Sequence, residues 1–210
     1  MRAGRAALLH GIYAIVNEDE RDPRKFVHAI VNAGVHIVQY RAKHGIDADH
    51  LRTLRELTYE HDALLIMNDD WRAAIVFDCD GVHLGPDDEG FKAPAELRPM
   101  LDQRLIGLSC GTVEEALAFG KDADYLGVGA VYATGSKSDA GEPIGIEGLA
   151  RIAAATSRPV AAVGGITPDN VGEVRATGVA MAAVISALSA ARNPGTAARA
   201  LVEAWVASHA

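Results

Sequence analysis

The sequence has few cysteines, no excess of positive charge and no long apolar run. Its two cysteines, Cys79 and Cys110, have no spacing typical of a metal site. Such sparse cysteine use favours a reduced, cytoplasmic setting. The formal net charge of -8 argues against a nucleic acid as partner.

The apolar stretches are too short for a membrane or export segment. The first ten residues contain two arginines and an apolar stretch shorter than a secretory signal requires. The longest weakly polar run, 179–191, is interrupted by Ser186 and Ser189 and is shorter than a membrane span. We therefore expect no membrane association. The 210 residues, 49% of them apolar, predict one domain, 1–210, with a substantial core.

Short apolar runs alternate with alanine-rich helical patterns along the chain. The predicted strands are 11–16, 36–40, 64–68, 81–84, 105–109, 125–128, 160–163 and 181–185. The predicted helices are 23–33, 49–61, 113–121, 145–155, 168–177 and 194–207, and the prolines at 86, 94 and 99 predict an irregular link after the fourth strand. This alternation indicates a parallel sheet covered by helices. Eight units predict a single-domain (β/α)8 TIM barrel, and the strand count disfavours a doubly wound open sheet.

Two of the helices have recognisable start signals. Thr167-Pro168 and Asn193-Pro194 each combine a capping residue with a proline in the first turn. The sequence therefore predicts that Thr167 and Asn193 cap the last two long helices.

Cations follow the second apolar run. In a barrel of this kind the active site lies at the carboxyl ends of the strands. Gln39, Arg41 and Lys43 alternate along the chain there, so their side chains point the same way. Two cations on one face repel each other unless an anion lies between them, which a phosphorylated substrate would supply. The alternative is a solvated loop that begins early.

Carboxylates follow the third and fourth runs. Asp69, after Asn68, and Asp88 lie one strand-and-helix unit apart and can point to one place. Two carboxylates with phosphate oxygens and water form the usual ligand set of Mg²⁺. The alternatives are a helix cap at Asn68-Asp69 and an acidic surface loop at Asp88. His83, directly after the fourth run, is interpreted as a packed or hydrogen-bonded histidine rather than a base.

Hydroxyls and glycines follow the later runs. Ser109 fits a hydrogen-bonding role, and the loop from Thr134 through Gly135 and Ser136 to Lys137 combines two hydroxyls with an ammonium. Such a loop suits oxyanion binding, and its alternative is a flexible linker. Three further candidates, Gly165, Ile185 and Ser186, follow the seventh and eighth runs. Barrels of this kind commonly bind phosphate there, and the alternative is a pair of ordinary turns. Two anion sites suggest that two phosphorylated substrates are joined.

Taken together, the motifs resemble those of the thiamine phosphate synthase family from about Ile12 to Leu188. The motifs are Gln39-Tyr40-Arg41-Ala42-Lys43, Asn68-Asp69, Gly81-Val82-His83-Leu84-Gly85 with Asp88, Ala123-Asp124-Tyr125, Val131-Tyr132-Ala133-Thr134-Gly135-Ser136-Lys137, Val163-Gly164-Gly165-Ile166 and Val184-Ile185-Ser186. The resemblance implies a barrel that couples hydroxymethylpyrimidine diphosphate to a thiazole phosphate. The products would be thiamine phosphate and pyrophosphate, and a homo-oligomer is left open.

The resemblance also implies a role for each matched position. Asp69 and Asp88 would hold Mg²⁺ on the diphosphate. The diphosphate would be bound by Arg41, Lys43, Asn68 and Lys137, and the pyrimidine would lie beside Ser109. The thiazole phosphate would be bound by Thr134, Ser136, Gly165, Ile185 and Ser186. Arg41, Lys43, Lys137 and Ser109 would carry the catalysis, and Gln39, Tyr40, Ala42 and Gly135 complete the expected substrate-binding set.

Departures from the family pattern lie at Asp70, Pro86, Ala130, Gly135 and Ser136, and none of them removes a required chemical group.

A related thiazole tautomerase is the nearest alternative. That group usually lacks the full cation and metal set and carries a histidine where this chain has Ala130. A catalytically silent phosphate-binding barrel would not need the metal ligands. A sugar-phosphate isomerase would need an acid–base pair that we do not find.

Overall fold

The computed structural model describes residues 2–136 and 141–208, and its core is a closed barrel of eight parallel strands paired in sequence order. The strands are β1 (Gly11–Asn17), β2 (Ile37–Arg41), β3 (Leu64–Asn68), β4 (Gly81–Leu84), β5 (Leu105–Cys110), β6 (Tyr125–Gly129), β7 (Val160–Val163) and β8 (Met181–Val184). The barrel closes where β1 pairs with β8, with Tyr13 opposite Ala183. The predicted (β/α)8 barrel is confirmed.

Helices lie between the strands. They are α1 (Arg2–Ala6), α2 (Pro23–Val31), α3 (Ala48–Glu60), α4 (Trp71–Val76), α5 (Pro94–Leu101), α6 (Val113–Phe119), α7 (Gly145–Ala154), α8 (Val171–Ala176), α9 (Ser186–Ser189) and α10 (Pro194–Ala207). The link after β4, predicted to be irregular, contains α5. Pro94 occupies the first turn, where no backbone N–H is needed, and Pro99 inside the helix removes one hydrogen bond.

Alternation along the strands divides the core into two layers. In β1, Tyr13 and Ile15 point into the barrel, and Ile12, Ala14 and Val16 face the helices. Both sets are buried, and each large apolar side chain so buried contributes roughly 1.5–3 kcal/mol. The strands are therefore apolar on both faces, which is why they read as continuous apolar runs.

The two predicted helix caps have different outcomes. Asn193 caps α10 as predicted, since its side chain accepts a hydrogen bond from the Thr196 N–H. Thr167 does not cap α8, which begins later, at Val171. Instead, the Thr167 N–H donates to the Asn170 side chain in a turn before the helix, so this prediction was wrong.

A buried carboxylate ties the amino-terminal end of the barrel together. One oxygen of Asp80 accepts from Arg5 Nε at 2.8 Å, and the other accepts from Arg55 Nη1 at 2.8 Å and from the Leu65 N–H at 2.9 Å. Asp124 does the same for β5, accepting a backbone N–H of that strand. Both carboxylates lie at the end of the barrel opposite the carboxyl ends of the strands. None of the helices in the described ranges is both long and apolar enough for a membrane-spanning segment.

Candidate active site

Two adjoining cavities lie at the carboxyl ends of the strands. The first cavity has a volume of about 350 Å³, and its lining includes Ser109, Ala130, Thr134, Ser136, Gly165, Ile185 and Ser186. The second cavity, of about 410 Å³, is lined by Asn17, Glu18, Asp19, Arg41, Lys43, His44 and Ser136. Because Ser136 lines both cavities, a ligand in one can be adjacent to a ligand in the other.

Arg41 and Lys43 bring positive charge to the second cavity. The Arg41 Nη1 donates to Asn17 Oδ1 at 3.2 Å. The Arg41 Nε is buried and has no hydrogen-bond partner among residues 2–136 and 141–208. Buried donors are normally paired, so the guanidinium has hydrogen-bonding capacity to spare at the edge of a cavity.

Glu18 holds the loop that carries Lys43, and the sequence analysis missed it. Its Oε1 accepts from the Lys43 N–H at 3.0 Å, the His44 N–H at 2.9 Å and His44 Nδ1 at 2.8 Å. Burial alone would raise the pKa of Glu18, but these hydrogen bonds and one from its own N–H outweigh it and lower the pKa to about 2. Glu18 directly follows β1, and a polar residue at that strand end is the signal in the sequence that identifies it.

The two carboxylates predicted to bind metal lie beside each other. Lys43 Nζ is 3.2 Å from Asp69 Oδ2, and the Gly85 N–H donates to Asp88 Oδ2 at 2.6 Å. Burial, with the hydrogen bond to Asp69 and the Asp69 charge, raises the pKa of Asp88 to about 6, against the Gly85 N–H and the Lys43 charge. Two carboxylates this close are a site that a cation would stabilise.

These residues fit a divalent cation that is only partly coordinated by protein. The described residues contain no cluster of three or more histidine, cysteine, aspartate or glutamate side chains suited to a metal. Mg²⁺ commonly takes one or two carboxylates and completes its shell with water and phosphate oxygens, which matches this pair. The helix-cap alternative belongs to Asp70, which accepts from the Ala73 N–H. Asp69 has a left-handed backbone, with φ 68°, and its N–H donates to the His83 carbonyl.

Four of the predicted substrate-binding residues lie in or next to β2 and β3. Among the described residues, these four do not line either cavity. Asn68 is buried at the end of β3. Gln39 points into the barrel and donates to the Tyr13 hydroxyl at 2.7 Å. Tyr40 and Ala42 pack in the layer beneath the helices.

Ser109 and His83 form a pair at the first cavity. His83 Nε2 lies 3.2 Å from Ser109 Oγ, and His83 Nδ1 lies 3.2 Å from the Tyr125 hydroxyl. The prediction that His83 is packed and hydrogen-bonded is confirmed. The residues that line this cavity and were not predicted from the sequence include Phe91, Cys110 and Glu115. Phe91 lies in the link that was read as irregular.

The loops after β6, β7 and β8 form the far wall of the first cavity. Gly164 and Gly165 have φ of 104° and 65°, a region that favours glycine. A Cβ on Gly165 would lie 2.7 Å from the Tyr132 Cβ and 2.9 Å from the Ala133 carbonyl oxygen. The chain therefore needs glycine there to bring the two loops together. In the neighbouring loop the Ser136 N–H donates to Thr134 Oγ1.

Five of the residues predicted to bind an anion line the two cavities. Arg41 and Lys43 line the second cavity, and Gly165, Ile185 and Ser186 line the first cavity. Gly135 lies between the two hydroxyls of its loop, and a Cβ there would have no neighbour within 4 Å among residues 2–136 and 141–208. Lys137, predicted for the same site, lies outside the described residues.

Comparison with known proteins gives one consistent family. Residues 12–188 match the family model described as thiamine monophosphate synthase. The thiamine-phosphate synthase of Archaeoglobus fulgidus is 44% identical over 197 residues, covering 91% of each chain. That of Moorella thermoacetica is 40% identical over 188 residues, covering 87% of this chain and 88% of its own.

Solved structures agree with the sequence comparison. The thiamine phosphate pyrophosphorylase from Pyrococcus furiosus superposes with a TM-score of 0.87 at 34% identity, covering 96% of this chain and 98% of the other. A 3-hexulose-6-phosphate synthase superposes with a TM-score of 0.66 at 16% identity, which shows a shared fold and no more.

Proposed function

The chain belongs to the thiamine monophosphate synthase family, and we propose that it joins hydroxymethylpyrimidine diphosphate to a thiazole phosphate at the two adjoining cavities. It is a transferase that forms thiamine phosphate, acting on small phosphorylated substrates, with pyrophosphate as the proposed second product. The observation that carries the proposal is the meeting of Arg41, Lys43 and the carboxylates of Asp69 and Asp88 beside a glycine-lined cavity.

Asp69 and Asp88 would hold Mg²⁺ against the diphosphate. The pair fits because its two carboxylates are adjacent. Lys43 pairs with Asp69 and also lowers the pKa of Asp88, but burial and the neighbouring Asp69 outweigh it and the Asp88 pKa stays raised. A bound Mg²⁺ would neutralise the charge that the diphosphate gains as it leaves. The Gly85 N–H, 2.6 Å from Asp88 Oδ2, holds that carboxylate in position.

Arg41 and Lys43 bind the diphosphate oxygens in the second cavity. Their charges stay in place while the bond between the pyrimidine methylene carbon and the diphosphate oxygen breaks, so they stabilise the departing pyrophosphate. The thiazole nitrogen then supplies the electron pair for the new carbon–nitrogen bond. This step takes no proton from the nucleophile, which agrees with a site organised for positioning and water exclusion.

The first cavity would hold the pyrimidine and thiazole rings and the thiazole phosphate. The proposed phosphate contacts are Thr134, Ser136, Gly165, Ile185 and Ser186, all of which line that cavity. Sequence resemblance adds Lys137 to the phosphate-binding and catalytic set. Ala130, where the tautomerases carry a histidine, also lines the cavity, and its methyl group offers no acid or base.

We also propose a cytoplasmic enzyme that works as a single domain. Its two cysteines are both free and buried, which agrees with a reducing compartment. The reaction needs no second domain, because both cavities open at the same end of one barrel.

Carboxylate variants test the metal and diphosphate assignment. We expect Asp69→Asn and Asp88→Asn each to lower thiamine phosphate formation about 100-fold or more, because the charge that balances the metal is lost. Asp87→Asn is the matched control, since Asp87 is the exposed neighbour of Asp88. The measurement is product formation over a Mg²⁺ titration, with circular dichroism to verify folding. Folded Asp69 and Asp88 variants as active as the control would refute the assignment.

A further inference from the structure

A line of hydrogen bonds runs through the barrel interior to the wall of the first cavity. Gln39 Nε2 donates to the Tyr13 hydroxyl at 2.7 Å, and the Tyr13 and Tyr125 hydroxyls are 2.9 Å apart. Tyr125 contacts His83 Nδ1 at 3.2 Å, and His83 Nε2 contacts Ser109 Oγ at 3.2 Å. We call these five residues the interior relay. The first four are buried, and Ser109 lines the cavity.

Two glycines make room for the rings of the interior relay. A Cβ on Gly107 would lie 2.2 Å from the Tyr125 ring, and a Cβ on Gly127 would lie 2.7 Å from His83 Cε1. The Tyr125 ring also meets the Tyr13 ring edge-on, with centroids 6.0 Å apart. The two rings therefore fill space that the glycines leave inside a closed barrel, which fixes their positions.

The hydrogen bonds of the interior relay all run the same way, from donor to acceptor, because each group has a limited set of donors. The Gln39 amide nitrogen can only donate, so the Tyr13 hydroxyl accepts from it and donates its own hydrogen to Tyr125. Tyr125 then donates to His83 Nδ1. Burial raises the pKa of both tyrosines, so both hydroxyl hydrogens are present.

The direction reaches the cavity through His83. Because Nδ1 accepts, the neutral imidazole carries its hydrogen on Nε2 and donates it to Ser109 Oγ. The oxygen of Ser109 is then used as an acceptor, and its own hydrogen can point into the first cavity. If the Gln39 carbonyl faced Tyr13 instead, every bond would reverse and Ser109 would present an acceptor.

We propose that the interior relay makes Ser109 a hydrogen-bond donor toward the ligand, with His83 as a positioning residue held in the Nε2–H tautomer. The ligand atom it meets is an acceptor, and on the proposed function, on which this part rests, that atom is a ring nitrogen of the pyrimidine. The exocyclic amino group, a donor, is turned away from Ser109. The interior relay thus selects one orientation of the ring.

Nitrogen NMR of the histidine side chains tests the direction without any substrate. In the unmodified protein we expect His83 Nδ1 to show the shift of an unprotonated acceptor and Nε2 that of a protonated donor. Tyr125→Phe should convert this signature to a mixture of tautomers. Tyr59→Phe is the matched control, since Tyr59 is exposed on α3. A Nδ1–H tautomer in the unmodified protein would overturn the proposal, and this result needs no variant to fold.

Ligand binding tests the specificity. We compare hydroxymethylpyrimidine diphosphate with analogues in which one ring nitrogen is replaced by C–H, using calorimetric titration. One analogue should bind about 10-fold more weakly, and Ser109→Ala should abolish that difference, because one neutral hydrogen bond contributes about this much. If the Ser109→Ala variant and the unmodified protein distinguished the substrate from the analogue equally well, the assignment of Ser109 as donor would be overturned. Failure of the proposed function is read separately, as binding without thiamine phosphate formation.

Discussion

Asp80→Asn is expected to destabilise the barrel without changing its chemistry. The Asp80 carboxylate is almost buried and accepts from two arginines and one backbone N–H. An asparagine has nearly the same shape but only one acceptor oxygen, and its NH₂ group would face an arginine N–H. At least one arginine would therefore lose its partner at the amino-terminal end of the barrel.

The expected loss of stability depends on how far these ion pairs are shielded from water. Breaking a fully buried ion pair costs about 3–5 kcal/mol. The side chains of Arg5 and Arg55 are 26% and 18% exposed, against 11% for Asp80, so water can partly solvate the released cation. The asparagine oxygen can also keep the Leu65 N–H. We therefore expect a loss of about 2–3 kcal/mol, or roughly 5–10 °C in Tm for a chain of this length.

Urea unfolding and steady-state kinetics measure the two halves of this prediction. Asp49→Asn is the control, because the Asp49 side chain is 94% exposed in its pair with Arg52 and such pairs contribute about 0–1 kcal/mol. The Asp80 variant should unfold at lower urea, with the turnover of its folded fraction unchanged, since Asp80 lies opposite the cavities. Equal unfolding midpoints for the two variants would show that the Asp80 ion pairs do not stabilise the barrel.

Three further changes test the cavities. Glu18→Gln should raise KM for the pyrimidine diphosphate roughly 3- to 10-fold, because weaker neutral hydrogen bonds would hold the Lys43 loop; an unchanged KM would contradict this. Arg41→Lys keeps the charge but loses the planar fork, so kcat/KM should fall about 10- to 100-fold, whereas wild-type kinetics would remove the guanidinium from the site. Gly165→Ala should weaken thiazole phosphate binding about 10-fold, because alanine is strained at this left-handed backbone position. Calorimetric titration measures the Kd, which should not change in the Gly172→Ala control; an unchanged Kd for Gly165→Ala would contradict the expectation.

The barrel could be predicted because its strands are apolar on both faces. Runs such as 64–68 and 81–84 match β3 and β4 residue for residue, since burial on both sides leaves little room for polar residues. Helix α5 was missed because two prolines lie in it. Proline usually breaks helices, and here the first falls where no N–H is required.

Only part of the candidate site could be predicted from the sequence. Arg41, Lys43, Asp69 and Asp88 were found because charged residues stand out after apolar runs. The interior relay could not be found that way, since Tyr125 reads as an ordinary strand residue. Its partners come from strands far apart in the chain, and only the closed barrel and its register bring them together.

The proposed synthase activity is measured by mixing the purified protein with the pyrimidine diphosphate and the thiazole phosphate and following thiamine phosphate and pyrophosphate together. We expect both products to appear in equal amounts, Mg²⁺ to be required, and thiamine phosphate formation to stop when either substrate is omitted. A folded protein that binds both substrates but forms neither product, or that releases pyrophosphate without thiamine phosphate, would contradict the proposed activity.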